Sequence, residues 1–376
     1  MVLMGLSILL LSACLVYLVL TAILAKGLKA LDAAGASKVL PNHKEESFTI
    51  LVAHFNDSEK IPSLLDSLEK QIYQGSFNFC VIDDHSSERH LERLALYLER
   101  SSLNTRLLKN EDKPGKKRAL AQAVAILPKS FIIQLDADVV LDSNFLAELL
   151  ATKKLEQADI LLGLVKMRPQ QNFISHFAAF EFLSLQMSGL ALVALKKPIM
   201  ANGAAMAYAS QIWSRFKNIG EDWASGDDSF LVQAAAKDKS LKIIGVPKAI
   251  VFTDAPNSWQ SFFNQRIRWG AKAIAYPSFF AQFTAFSVAF FNCSLVLSLI
   301  VALIFSWNSL PIVAFFFLLK GVVDYPLLYR FAQSTGQEKL VNKYVLSALV
   351  YPFYISLSII FIMLPFKKRW KGRVYS

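Results

Sequence analysis

Phe131-Ile132-Ile133-Gln134-Leu135-Asp136-Ala137-Asp138 is the stretch whose reading decides the fold. A short run rich in apolar and β-branched residues predicts a buried strand, and it ends in two carboxylates at alternate positions. The same grammar recurs upstream. Phe48 to Ala53 predicts a first strand. Phe77 to Ile82 predicts a second, which runs into Asp83-Asp84-His85-Ser86-Ser87. Thr105 to Leu108 predicts a third. Helical patterns fill the gaps, over Pro62–Lys70 and over Lys116–Ile126, the latter opened by Gly115. Strands alternating with helices predict an α/β fold with a mostly parallel sheet and helices on both faces. Ligands of such sheets bind at the carboxyl ends of strands, and both acidic pairs fall there.

Outward from this core the chain turns apolar. Of 376 residues 54% are hydrophobic, with 29 Phe, a formal charge of +11 and a mean hydropathy of +0.38. Met1–Ala25 carries no charge and is long enough to cross ~30 Å of hydrocarbon, so residues 1–25 are expected to be an uncleaved transmembrane anchor. Lys26, Lys29 and Lys38 follow it and place residues 45–275 in the cytosol, beside a plasma (bacterial inner) membrane. Pro277–Leu319 is again uncharged and is split near Ser306–Pro311. A further run covers Tyr344–Phe366, giving about three segments within 278–366 and a basic tail, 367–376. Three full crossings would put that tail outside, against its charge. One of the last two segments is therefore expected to be re-entrant or interfacial, with Pro352 and the Lys320/Asp324 pair marking the suspects. Lys320 and Asp324, four apart, share a helix face and can pair, either structurally or along an acceptor path. Phe173–Leu195 is apolar but contains His176 and Glu181; it is read as a buried or membrane-facing helix of the α/β domain.

The basic excess lies beside the apolar runs and no nucleic-acid module is present, so nucleic acid is not an expected partner. Cys14, Cys80 and Cys293 are odd in number and widely spaced, which excludes a disulfide framework or a zinc site.

Chemistry is carried by four clusters. Asp136 and Asp138 can each offer a hard oxygen to Mg2+ or Mn2+, which would offset the charge of a departing diphosphate; such a pair also occurs in solvated loops and caps. Asp83 and Asp84 can accept from a base N–H or ribose hydroxyls, or can serve as turn and capping residues. Lys113-Pro114-Gly115-Lys116-Lys117-Arg118 feeds a helix N-terminus suited to an anion, without P-loop spacing. Ser225-Gly226-Asp227-Asp228 places one carboxylate beside another, which raises a pKa and suits a general base; an N-cap pair would look alike. Gln265-Arg266-Ile267-Arg268-Trp269 puts Gln265 and Arg268 on one helix face, where Arg268 can grip a diphosphate and Trp269 can stack on a sugar or sit at a membrane interface.

The order of these motifs, closing on Gln265-x-x-Arg268-Trp269 ahead of membrane segments, resembles the family-two inverting glycosyltransferases. The likeness is greatest to processive-type members such as the cellulose, hyaluronan and chitin synthases, and it spans roughly residues 46–275. Thr253-Asp254-Ala255-Pro256 also resembles the approach to the family's Gln-x-x-Arg-Trp helix. The turn Ala53-His54-Phe55-Asn56-Asp57 departs from the family's basic-Asn-Glu.

The resemblance implies a GT-A fold, a nucleotide-sugar donor (most simply a UDP-sugar) and a lipid-linked or glycan acceptor. It implies that Asp83 or Asp84 binds the base near Lys116, and that Asp136 and Asp138 hold ribose and metal. By it Asp228 is the catalytic base beside Asp227, and Gln265, Arg268 and Trp269 serve the donor. Asn202-Gly203 would belong to the acceptor-side strand. A membrane nucleotidyltransferase and a non-catalytic scaffold are the alternative classes.

Overall fold

The computed structural model describes residues 2–34, 47–73, 75–216, 226–364, 368–370 and 373–375. They form two compact units. One comprises 31–168 and 193–254; the other comprises 1–30, 169–192 and 255–376.

The first unit is built on an eight-stranded sheet. β1 (Phe48–His54), β2 (Asn78–Asp83), β3 (Asn104–Lys109) and β4 (Phe131–Asp136) are the strands expected from sequence, each within a residue or two. Their interiors are the apolar positions that predicted them: Ile50, Leu51, Val52, Val81, Ile82, Ile132 and Ile133 are all fully buried. Between them lie α2 (Ile61–Glu69), α3 (Glu88–Arg100) and α4 (Lys116–Ile126). After β4 come β5 (Val140–Leu141), α5 (Phe145–Glu156), β6 (Ile160–Arg168), β7 (Met206–Ala209), α7 (Ser210–Phe216), α8 (Asp227–Ala235) and β8 (Ile243–Asp254). The order is β3-β2-β1-β4-β7-β6-β8-β5. β3, β2, β1 and β4 are mutually parallel and β6 pairs β8 in parallel, whereas β7 is antiparallel to both neighbours and β5 to β8. The sheet is thus mixed and mostly parallel, as expected. His54, Asp83 and Asp136, the last residues of β1, β2 and β4, come out on one edge of it.

The second unit is helical. α1 (Val2–Ala34) runs past the expected end of the anchor at residue 25. α6 (Phe173–Ala194) and α9 (Trp259–Gly270) join it, followed by α10 (Phe279–Phe305), α11 (Leu310–Ser334), α12 (Tyr344–Met363) and a short pair, β9 (Lys368–Trp370) and β10 (Arg373–Tyr375). α1, α10 and α11 share a core that includes Leu10, Tyr17, Phe291, Leu295 and Phe316. Ile8, Leu15, Phe286, Leu297, Leu318, Val322, Val345 and Ile360 face outward as apolar rows, a pattern that lipid satisfies and water does not.

Among the described residues, five helices are long and apolar enough to cross a membrane: α1, α6, α10, and the stretches holding α11 and α12. α11 and α12 are each continuous, absorbing the internal proline, Pro326 or Pro352, within the helix. α6 belongs to the helical unit rather than to the α/β unit, so the stretch 45–275 is divided between the two. The chain enters α6 from β6 and returns to β7, which pairs with β6.

Candidate active site

The edge of the sheet where β1, β2 and β4 end collects the acidic residues, but the two pairs meet different surroundings. Asp83 is buried behind His54. His54 Nε2 accepts from the Asp57 N–H (3.3 Å), which leaves Nδ1 to donate to Asp83 Oδ1 at 2.9 Å. The Ser86 N–H donates to Asp83 Oδ2 at 3.0 Å. Burial pushes the Asp83 carboxyl up, but these hydrogen bonds from His54 and Ser86 outweigh it and hold the group below its ordinary value.

Asp84 is equally buried and accepts from Asn110 Nδ2 (2.8 Å) and from the Gly115 N–H (2.9 and 3.0 Å to its two oxygens). It therefore ties the end of β2 to the loop that opens α4. Gly115 sits at φ +154° there, a conformation that side chains oppose.

On the other side of β1, Asp136 faces Lys116, whose Nζ lies 2.5 Å from Oδ1. Asp138 keeps an accessible face. Crowding by protein around it, reinforced by the Asp136 charge, pushes its carboxyl up to about 6. An open carboxylate so disfavoured in its charged form suits a cation. Among the described residues no three His, Cys, Asp or Glu side chains gather around one point. A divalent ion here would be held by Asp138 and Asp136 and complete its shell with phosphate oxygens and water, the mode Mg2+ prefers.

The second acidic motif arrives from a distant part of the sequence. Gly226, at φ +97°, turns the chain into α8. The Asp228 carboxylate accepts from the Gly203 N–H through Oδ2 (2.8 Å) and from the Ser229 N–H through Oδ1 (2.6 Å). Asn202 and Gly203 do not lie in a strand as expected. They form the turn ahead of β7, where the Asn202 carbonyl accepts from Ala205 N–H and its side chain from Ala204 N–H, each at 3.0 Å; an asparagine that caps its own backbone favours a turn over a ladder.

Gly203 marks the centre of the site. A Cβ there would lie 2.8 Å from Gln134 Nε2, and 3.5 Å from both Asp228 Oδ2 and Lys116 Nζ. Lys116, held by Asp136, and Asp228 thus both stand beside Gly203, at contact distance from the position a Cβ would take, and Gln134 is the neighbour that a Cβ would crowd. The side chain of Asp227, and Ser225 as a whole, lie outside the described residues.

Gln265, Arg268 and Trp269 are on α9, in the helical unit, half-buried. Between them Arg266, which no role was expected to need, is buried: its guanidinium lies 2.5 Å from the equally buried Glu181 of α6 and over the Trp269 ring at 4.6 Å, and it donates to Gln265 Oε1. Glu181 also accepts from the Tyr354 hydroxyl of α12 at 3.2 Å.

The signals for the missed residues were in the sequence. A carboxylate inside an apolar helix needs a buried cation, and that is Arg266. A lone amide in an apolar strand needs a partner, and Gln134 Oε1 accepts from the Tyr208 hydroxyl at 2.9 Å. His54 and Ser229 carried no comparable signal, because only packing makes them neighbours of Asp83 and of the 201–203 turn.

A mixed sheet ordered this way, with acidic residues at its carboxyl edge and a second carboxylate brought beside them, is the GT-A arrangement of nucleotide-diphospho-sugar transferases. The chain matches the family described as "Glycosyltransferase like family 2" over residues 45–271, and it belongs to that family. Among solved structures it is similar to the mannosyltransferase PcManGT from Pyrobaculum calidifontis, solved in complex with GDP-Man and Mn2+. That likeness has a TM-score of 0.61 at 15% identity and covers 93% of this chain and 99% of that one. A lesser likeness, TM-score 0.42 at 15% identity, is to S. aureus TarS residues 1–349, covering 88% and 96% of the two chains. No curated protein sequence matches.

Proposed function

We propose that this chain is a membrane-bound inverting glycosyltransferase that moves a sugar from a nucleoside-diphosphate donor, of the UDP type, to a lipid-linked or glycan acceptor. Its α/β unit works at the cytosolic face of a plasma membrane. The observation that carries this reading is the shared volume at Gly203, where Asp228 meets the Lys116–Asp136 pair.

In this reading the Asp228 carboxylate takes the proton of the acceptor hydroxyl. The acceptor oxygen bonds to the anomeric carbon from the side opposite the leaving group, and the nucleoside diphosphate departs with the bonding electrons. Two backbone N–H groups fix the Asp228 carboxylate in orientation, so little reorganisation is needed at the moment of transfer. Lys116 sits where it can meet phosphate charge. Asp138 and Asp136 would hold Mg2+ or Mn2+, which supplies charge neutralisation on the diphosphate when bound. Asp83 or Asp84 would bind the base, an assignment that rests on their motif at the end of β2. The assignment of Gln265, Arg268 and Trp269 to the donor rests on their motif, and that of Asn202 to the acceptor on its place beside Gly203.

Asp228→Asn tests the base directly. It should lower nucleoside-diphosphate release by about 10³-fold, the scale of a lost general base, while donor binding by calorimetry stays intact. Wild-type turnover in that variant sinks the assignment. Release of pyrophosphate instead of nucleoside diphosphate would mark nucleotidyl transfer, and no turnover of any nucleotide sugar would mark a scaffold.

A further inference from the structure

Arg266 and Glu181 face each other inside the helical unit, both buried. A buried ion pair is a poor way to stabilise a fold. Desolvation takes back most of what the Coulomb attraction gives, and apolar residues of similar size often serve as well. Stability therefore does not account for this pair, and its other contacts show what it does.

The guanidinium is held on several sides. Arg266 Nε donates to Glu181 Oε2 at 2.7 Å, and Nη2 lies 2.5 Å from the same oxygen. Nη2 also donates to the Ala178 carbonyl at 3.1 Å. Glu181 Oε1 in turn accepts from the Tyr354 hydroxyl at 3.2 Å, so α6, α9 and α12 together fix the pair. The Phe262 and Trp269 ring centres stand 4.8 and 4.6 Å from the guanidinium carbon. These two residues, four before and three after Arg266, share its helix face.

The remaining edge, Nη1, donates to Gln265 Oε1. A guanidinium offers donors only, so it can face only the oxygen end of an amide. The Nε2 end of Gln265 is thereby turned away from Arg266, as a donor. A half-buried glutamine left alone would lose rotamer freedom on meeting a ligand; here that ordering precedes the ligand.

We propose that Arg266, held by Glu181 and Tyr354, is a positioning residue. It locks the Gln265 side chain with the NH2 group as the end presented, so that Gln265 recognises an acceptor atom. That this atom belongs to the sugar-nucleotide donor rests on the transferase reading above; the lock itself does not.

The full chain in nanodiscs, carrying 15N in its glutamine side chains, tests this. The NH2 signal that vanishes in Gln265→Met is that of Gln265. It should be rigid in the wild type on the nanosecond scale. It should become mobile in Arg266→Lys, which keeps a cation for Glu181 but replaces the fork by a single nitrogen. The triple variant E181L/R266M/Y354F removes the pair with no ion or hydroxyl orphaned, and should free the signal in the same way. A signal already mobile in the wild type, or still rigid in either variant, overturns the lock.

Donor kinetics read the role separately. Gln265→Met should raise the donor KM about tenfold, the scale of one charge-assisted hydrogen bond. Arg266→Lys should do the same with kcat within about twofold, and the double variant should be no worse than either, because both changes remove one interaction. Effects that multiply would mean that Arg266 does not act through Gln265, and would overturn the inference. A rigid signal beside a donor KM that Gln265→Met leaves unchanged keeps the lock and removes the motif's donor assignment.

Discussion

Asp83-Asp84 and Asp136-Ala137-Asp138 leave the same edge of one sheet, one pair on each side of β1, yet the protein treats them oppositely. The first pair is buried and saturated by the protein's own donors: His54, Ser86, Asn110 and the Gly115 N–H. The second has one member paired with a half-exposed lysine and the other left accessible with its carboxyl pushed up to about 6. Within these two pairs, equal chemistry at equal topological positions divides according to how much of each carboxylate the protein itself occupies. Asp83 and Asp84 have their oxygens taken by the chain's own donors and hold loops in place. Asp138 is exposed and open to charge arriving from solution.

That contrast is open to attack. The largest effect is expected at Asp138. Asp138→Asn should cut metal-stimulated sugar transfer by about 10³-fold, several kcal/mol of lost charge stabilisation, while the melting temperature holds or rises. The sign follows from linkage: a carboxyl with a raised folded-state pKa is charged at a cost at neutral pH, so its removal relieves the fold. A melting temperature that falls sharply would place Asp138 with the framing pair.

Next in size is Asp84→Ala, which strands the half-buried Gly115 N–H and takes from the buried Asn110 amide the nearer of its two acceptors. It should cost about 2–3 kcal/mol in denaturant unfolding, and Asp84→Asn should cost less because one acceptor survives. Full stability with lost donor binding would reverse the division. Lys116→Met should then raise the donor KM by about tenfold, the scale of one charge-assisted hydrogen bond, with kcat less affected.

The smallest effect is a pH dependence at Asp83. Its folded-state carboxyl is held below the ordinary value, so its stabilisation is complete above about pH 4, the unfolded value, and fades as pH falls through the folded one. The gap in melting temperature between wild type and Asp83→Asn should therefore close below about pH 4. A gap that widens there would mean that His54 and Ser86 do not hold the charged form.

Much of this was legible in the chain. β1 to β4 announced themselves because a buried parallel strand must be apolar throughout, and the acidic pairs because they interrupt such runs at their carboxyl ends. α6 was harder. Its composition suits both a buried and a lipid-facing helix, so its grouping with the apolar helices depended on Glu181 finding Arg266 and Tyr354. Asn202-Gly203, a strand by the resemblance, is a turn because the Asn202 side chain accepts from its own downstream backbone, a local contact the family pattern does not encode.

The sequence alone determined the strand–helix alternation, the apolar helices and the identity of the acidic motifs, since these depend on local periodicity and side-chain chemistry. Only the tertiary structure decided that Asp228, far along the chain from Lys116 and Asp136, shares their volume across Gly203, and that Asp83 and Asp84 are spoken for. Those outcomes depend on non-local packing, in which three distant segments meet beside Gly203, and no short stretch of chain encodes the position of another.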